Sequence, residues 1–178
     1  MLMIQITKGN IIKRGMALGI ASAVAWPAVG SAAPLAWQLA GEGFNEAQLK
    51  VVAADATNPR LLYAGSARAI YRSTDGGVHW REQFHVPANA ELTFLAIDPF
   101  DNRHVLTATT NGLYGSSDDG RHWQRTFRAA GEGESRCQVV VFHPVRRHQV
   151  FVGTAGGLFV SEDGGAHWRE RGIGLSDR

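Results

Sequence analysis

Ser73-Thr74-Asp75-Gly76-Gly77-Val78-His79-Trp80 recurs twice, as Ser116-Ser117-Asp118-Asp119-Gly120-Arg121-His122-Trp123 and as Ser161-Glu162-Asp163-Gly164-Gly165-Ala166-His167-Trp168. The common pattern is S-x-D-x-G-x-H-W, without gaps, at spacings of 43 and 45 residues. Other positions keep the same phase. Asp55, Asp98 and His143 correspond, as do Tyr63, Leu106 and Phe151, and Tyr71, Tyr114 and Phe159. Trp37 lies 43 residues before Trp80, so four of the five tryptophans occupy one repeating position. The fifth, Trp26, is in the N-terminal leader. A period of 40–45 residues marks a repeat architecture, and the content of one period decides which.

Each period holds four short apolar runs separated by turn residues. In the middle copy they are Leu92–Asp98, His104–Thr109, Gly112–Ser116 and His122–Phe127. Pro99-Phe100-Asp101-Asn102 separates the first two, Thr110-Asn111 the next two, and the octapeptide the last two. Four antiparallel strands per period is a β-propeller blade. The expected fold is all-β, with blades at about 49–84, 92–127 and 137–171 inside a partial propeller of residues 36–178. The segment 36–41 reads as a lone closure strand.

The octapeptide resembles the Asp-box, or BNR repeat, of sialidase-like β-propellers, whose usual form has Thr where this chain has His. The resemblance covers residues 37–178. It implies fold more than activity, because sialidases, xyloglucanase-type glycosidases, sortilin-type receptors and photosystem II assembly factors share the box as a structural turn. In size of unit and in its D-G-G-x-x-W style the chain is most similar to the photosystem II assembly and stability factors. Those are exported or lumenal chaperones that bind a membrane-protein partner.

Elementary chemistry gives the box the same structural role. A tight turn leaves backbone N–H groups unpaired, and Asp75, Asp118 and Asp163 can accept from them while Ser73, Ser116 and Ser161 add a hydroxyl. Gly77, Gly120 and Gly165 suit a backbone with φ > 0. Trp80, Trp123 and Trp168 are expected to start the fourth strand and to pack under the turn or between blades, where truncation costs about 3–5 kcal/mol if the ring is buried. His79, His122 and His167 invite a three-histidine metal reading, but equivalent positions on successive blades lie apart, whereas zinc needs its nitrogens about 2.0–2.1 Å from one ion. They are read as polar turn residues. No cofactor and no metal is expected.

Catalytic readings run short of residues. The resemblance to sialidases would require a Tyr nucleophile paired with a Glu, an Asp acid/base and three arginines. Yet Tyr63, Tyr71 and Tyr114 all occupy repeat phases that other copies fill with Leu or Phe. Xyloglucanase-type enzymes would need two aspartates in a cleft between two propellers. Glu132 and Glu134, and Asp118 and Asp119, sit in expected loops, where solvated surface is the default. No phosphate loop or nucleophile elbow is present. No catalytic residue is therefore assigned. The alternative is the N-terminal part of a sialidase-like glycoside hydrolase whose catalytic residues lie in other blades.

Residues that break the repeat are better candidates for binding. Arg68, Arg128 and Arg136 fall out of phase in the connections on the face opposite the boxes, and they form the candidate binding face for a protein partner or a glycan.

Charge supports this division. The chain has 18 Lys and Arg against 16 Asp and Glu, and a pI near 9.0. Lys8, Lys13 and Arg14 lie in the first 32 residues, which hold no acidic side chain; the rest carries 15 basic against 16 acidic residues, a net of −1. The basic signal belongs to the leader, and no nucleic-acid partner is expected. Residues 1–32 read as a signal peptide, with basic residues up to Arg14, an apolar run from Met16 to Val29, and small residues at Gly30-Ser31-Ala32. The run is shorter than the roughly 20 residues of a membrane span, so an uncleaved anchor is the lesser reading and the only membrane link. The expected location is periplasmic or extracellular. The single Cys137 excludes an internal disulfide and sits in an apolar run, which suits a small buried residue.

Closed propellers have about 4–8 blades. Three blades and a closure strand are read as a fragment of a longer propeller, with the remaining blades in a longer chain or another subunit. A head-to-tail dimer would supply six blades but leave two closure strands without a sheet, which makes it the weaker arrangement.

Overall fold

The computed structural model describes Gly43 and residues 48–128 and 135–171. The expected signal peptide, the closure strand at 36–41, and Glu132 and Glu134 lie outside the described residues. Twelve strands build three separate sheets. The first blade has β1 (Leu49–Ala54), β2 (Leu62–Ser66), β3 (Ala69–Ser73) and β4 (Arg81–His85). The second has β5 (Leu92–Asp98), β6 (Asp101–Thr109), β7 (Gly112–Ser116) and β8 (Gln124–Phe127). The third has β9 (Cys137–Phe142), β10 (Val150–Thr154), β11 (Leu158–Ser161) and β12 (Arg169–Glu170). Every sheet is an antiparallel meander in sequence order, and no helix occurs among the described residues. The first strands sit side by side, with β5 against both β1 and β9, which is how blades surround a propeller axis.

Three strand starts differ from the sequence expectation, each for a local reason. β8 begins at Gln124 rather than His122, and the strand after Trp80 begins at Arg81. The box itself holds the His and Trp: the His122 backbone N–H donates to Asp118 and the Trp123 indole to Gly120, so pairing resumes one residue later. β6 begins at Asp101 rather than His104, because Asp98 pairs with Asp101 across a turn of only Pro99 and Phe100.

The core is two seams between blades. One cluster gathers Leu61, Tyr63 and Ile70 of the first blade with Leu92, Leu95 and Val105 of the second. The other gathers Leu106, Leu113 and Phe127 of the second blade with Cys137, Val140 and Val152 of the third. Cys137 is buried there and its thiol is pushed up to about 12 by that burial, so it packs as a small apolar residue.

In-phase side chains close the turns. The 1→2 turn is capped by Asp55, which accepts from the N–H groups of Thr57 and Asn58 at 2.7 and 2.6 Å, and by Asp98, which accepts from Phe100 at 2.8 Å. In the third blade His143 does this with its Nδ1, accepting from Val145 and Arg146 at 3.1 Å each. The 2→3 turn is capped by a hydroxyl: Ser66 accepts from Arg68 and Ala69, Thr109 from Asn111, and Thr154 from Gly156 and Gly157. That hydroxyl series also keeps the 43 and 45 spacing.

Candidate functional site

The three boxes have nearly the same geometry. The serine hydroxyl donates to the aspartate Oδ1 at 2.8, 2.9 and 2.8 Å for Ser73, Ser116 and Ser161. The serine Oγ in turn accepts from the backbone N–H of Gly77, Gly120 and Gly165 at 2.9, 2.9 and 2.8 Å. Oδ1 of Asp75, Asp118 and Asp163 accepts the backbone N–H of His79, His122 and His167 at 3.0, 2.9 and 2.9 Å. Oδ2 faces the Nδ1 of the same histidine at 2.7, 2.5 and 2.6 Å. Each histidine thus latches onto its own aspartate, a contact that the reading of it as a polar turn residue did not foresee. The tryptophan Nε1 donates to the carbonyl of Gly77, Gly120 or Gly165 at 2.9 Å.

These bonds hold all three carboxyls far below the ordinary aspartate range. For Asp75 and Asp163 the backbone N–H of the histidine is the largest cause; for Asp118 it is the imidazole of His122. Each carboxylate is engaged within its own hairpin. Among the described residues no three His, Cys, Asp or Glu side chains gather as a metal site.

The second box departs from the other two. Its Asp119 stands where the others have Gly76 and Gly164, and all three are left-handed, with φ of 66°, 80° and 78°. A non-glycine residue there carries backbone strain. Asp119 is also not the solvated loop residue that the sequence implied. Its Oδ1 accepts from Arg72 Nη2 at 2.8 Å, with both side chains only 22% exposed. Arg72 lies over the ring of Tyr63, 5.9 Å from its centroid. Tyr63 is fully buried, and its hydroxyl is pushed up to about 12, burial being the largest cause. Trp123 stacks on Phe84 at 5.1 Å, and Trp168 meets Phe127 edge-on at 5.5 Å. Each of these two boxes therefore clasps the blade before it.

The opposite rim carries the arginines. Arg68 lies in the β2–β3 turn, and Arg128 and Arg136 flank the connection from β8 to β9; all three are exposed. Backbone bonds tie this rim together: Leu92 donates to Ala67, Thr110 to Glu91 and Ala155 to Arg136. Arg68 is partly engaged, since its Nη1 donates to the Ala88 carbonyl at 2.8 Å. Lys50 pairs with Glu91 at 3.0 Å, and that bond, the largest cause, draws the Glu91 carboxyl below its usual range. Arg128 and Arg136 thus share one connection, while Arg68 stands a blade away.

The family model for sortilin, neurotensin receptor 3 (Sortilin-Vps10) matches residues 68–170, more than half of the chain. The chain belongs to the Sortilin-Vps10 family. The Sortilin-Vps10 match spans all three boxes, the last two strands of the first blade and the whole of the second and third blades. Solved structures share the propeller fold of this Sortilin-Vps10 chain. An ancestral GH74 enzyme is similar over 79% of this chain, with a TM-score of 0.66 and 21% identity. A GH74 enzyme from Niastella koreensis is similar over 68%, with a TM-score of 0.55 and 25% identity. The structure of YCF48 bound to D1 peptide is similar over 68%, with a TM-score of 0.56 and 12% identity. The matched part is 20%, 22% and 38% of those chains, so this chain spans well under half of each. No curated protein matches it in sequence.

Proposed function

We propose that the chain is a non-catalytic, exported propeller module that binds or assembles a protein partner through the rim bearing Arg68, Arg128 and Arg136. One observation carries the reading. The box aspartates Asp75, Asp118 and Asp163, which are the obvious reagents, are each engaged by the backbone and imidazole of the histidine in their own hairpin. What departs from the repeat is the opposite rim, with exposed arginines suited to carboxylate groups of a peptide. YCF48 with its D1 peptide is a precedent for peptide binding on this fold. Export rests on the leader of residues 1–32.

The test is binding of the purified chain to an array of acidic peptides and to xyloglucan oligosaccharides, followed over time for hydrolysis. Peptide binding that falls at least tenfold in an Arg68→Ala, Arg128→Ala, Arg136→Ala chain supports the proposal. A second reading, favoured by the GH74 similarities, makes the chain part of a glycoside hydrolase whose catalytic carboxylates lie in other blades. Binding of the oligosaccharides with no peptide bound would support that reading and overturn the first.

A further inference from the structure

The rim opposite the boxes carries an acid where the next blade carries a base. Glu91 immediately precedes β5, and Arg136 immediately precedes β9. The backbone treats the two alike: Thr110 donates to the Glu91 carbonyl at 2.9 Å and Ala155 to the Arg136 carbonyl at 3.2 Å. The Glu91 N–H is tied as well, donating to the Thr110 hydroxyl at 3.0 Å. Glu91 is thus fixed on the rim, and its Oε2 accepts from Lys50 Nζ at 3.0 Å. Lys50 breaks the repeat, because the same phase holds Thr93 in the second blade and Gln138 in the third. Arg68 attracts the same carboxylate through space, and its Nη1 is held by the Ala88 carbonyl in the connection that leads to Glu91. Glu91 therefore answers two cations of the first blade, at the seam between the first blade and the second.

We propose that Glu91 is a built-in competitor on this rim: its carboxylate occupies Lys50 and offsets Arg68, and an acidic peptide segment must displace it to engage both cations. The inference rests on the rim reading above; it adds Lys50 as a binding residue and Glu91 as the group that sets selectivity. The Lys50 and Glu91 side chains are 43% and 58% exposed, so a second carboxylate reaches Lys50 without opening the seam. A pair at that exposure is weakly held, and exchanging one carboxylate for another costs little. Selectivity follows from the count of ion pairs. A ligand with a single carboxylate gains nothing at Lys50 by replacing Glu91. A segment with several adjacent carboxylates places one on Lys50 and another on Arg68, which keeps donors beyond the one that Ala88 holds.

The experiment is fluorescence anisotropy of a fluorescein-labelled oligoglutamate peptide titrated with the full chain. The proteins are the wild type, Glu91→Gln, Lys50→Gln and the double variant, all at exposed positions and checked for folding by circular dichroism. Glu82→Gln is the control for net charge, since it removes an exposed carboxylate that faces His85 rather than Lys50. Glu91→Gln is expected to tighten binding about threefold at low salt, with the gain shrinking as salt rises. The double variant is expected to lose that gain, and Glu82→Gln to show much less of one. Unchanged affinity in Glu91→Gln overturns the competitor role, as does a gain that survives in the double variant or appears equally in Glu82→Gln. In those cases the rim reading still stands if the triple arginine variant loses binding. If neither the wild type nor Glu91→Gln binds the peptide, both fall.

Discussion

The two seams bury equivalent positions with different chemistry. Between the first and second blades, the buried centre is Tyr63, beneath the Arg72–Asp119 ion pair. Between the second and third, the same phases hold Leu106, Gly115 and Gly164, and the contact is aliphatic and aromatic. The shared part is the tryptophan clasp; the ion pair is an addition to one seam. The lesson is that the box and its indole define the seam, and the polar pair adjusts it.

The largest expected effect tests the shared part. Trp123→Ala and Trp168→Ala should each lower stability by about 3 kcal/mol in urea denaturation, since both rings are partly buried against an aromatic neighbour. A large loss in one and none in the other would break the equivalence.

The next effect belongs to the first seam alone. The Tyr63 hydroxyl has its folded pKa raised to about 12, above the ordinary value near 10. Its contribution is therefore complete below pH 10 and is lost as pH rises through 12. Alkaline unfolding followed by tryptophan fluorescence should start at higher pH in Tyr63→Phe, while Leu106 offers no such group.

Smaller still is the ion pair. Arg72→Met should cost about 1 kcal/mol, less at high salt, because the pair is part-exposed. Asp119→Gly should be nearly neutral in thermal melts. It loses the pair but places at φ 66° the residue that the other two boxes have there. The double variant should sit above Arg72→Met. If Asp119→Gly is instead the more damaging single change, the pair is part of the seam's foundation and the comparison must be redrawn.

Least in size is His143→Asp, which gives the third 1→2 turn the cap of the other two. It should raise the melting point slightly at neutral pH.

The fold was readable because three boxes and their flanking apolar phases recur together at spacings of 43 and 45 residues, and a turn that closes on itself leaves its signature in eight residues. The Arg72–Asp119 pair was not readable in advance. Its members lie 47 residues apart on different blades, and pairing across a seam leaves no local pattern. A faint signal existed, since Asp119 replaces a glycine and Arg72 holds a phase filled elsewhere by Gly115 and Val160. On the opposite rim, the spacing of Arg68, Arg128 and Arg136 located the connections but could not reveal that Arg68 grips the Ala88 carbonyl.

The step from a 43- to a 45-residue spacing falls in the connection between β8 and β9, away from the boxes. Length can therefore change there while the clasps keep their register. An epitope or reporter spliced between Arg128 and Arg136 should leave the scaffold intact, which makes that rim the natural place to graft new recognition onto this architecture.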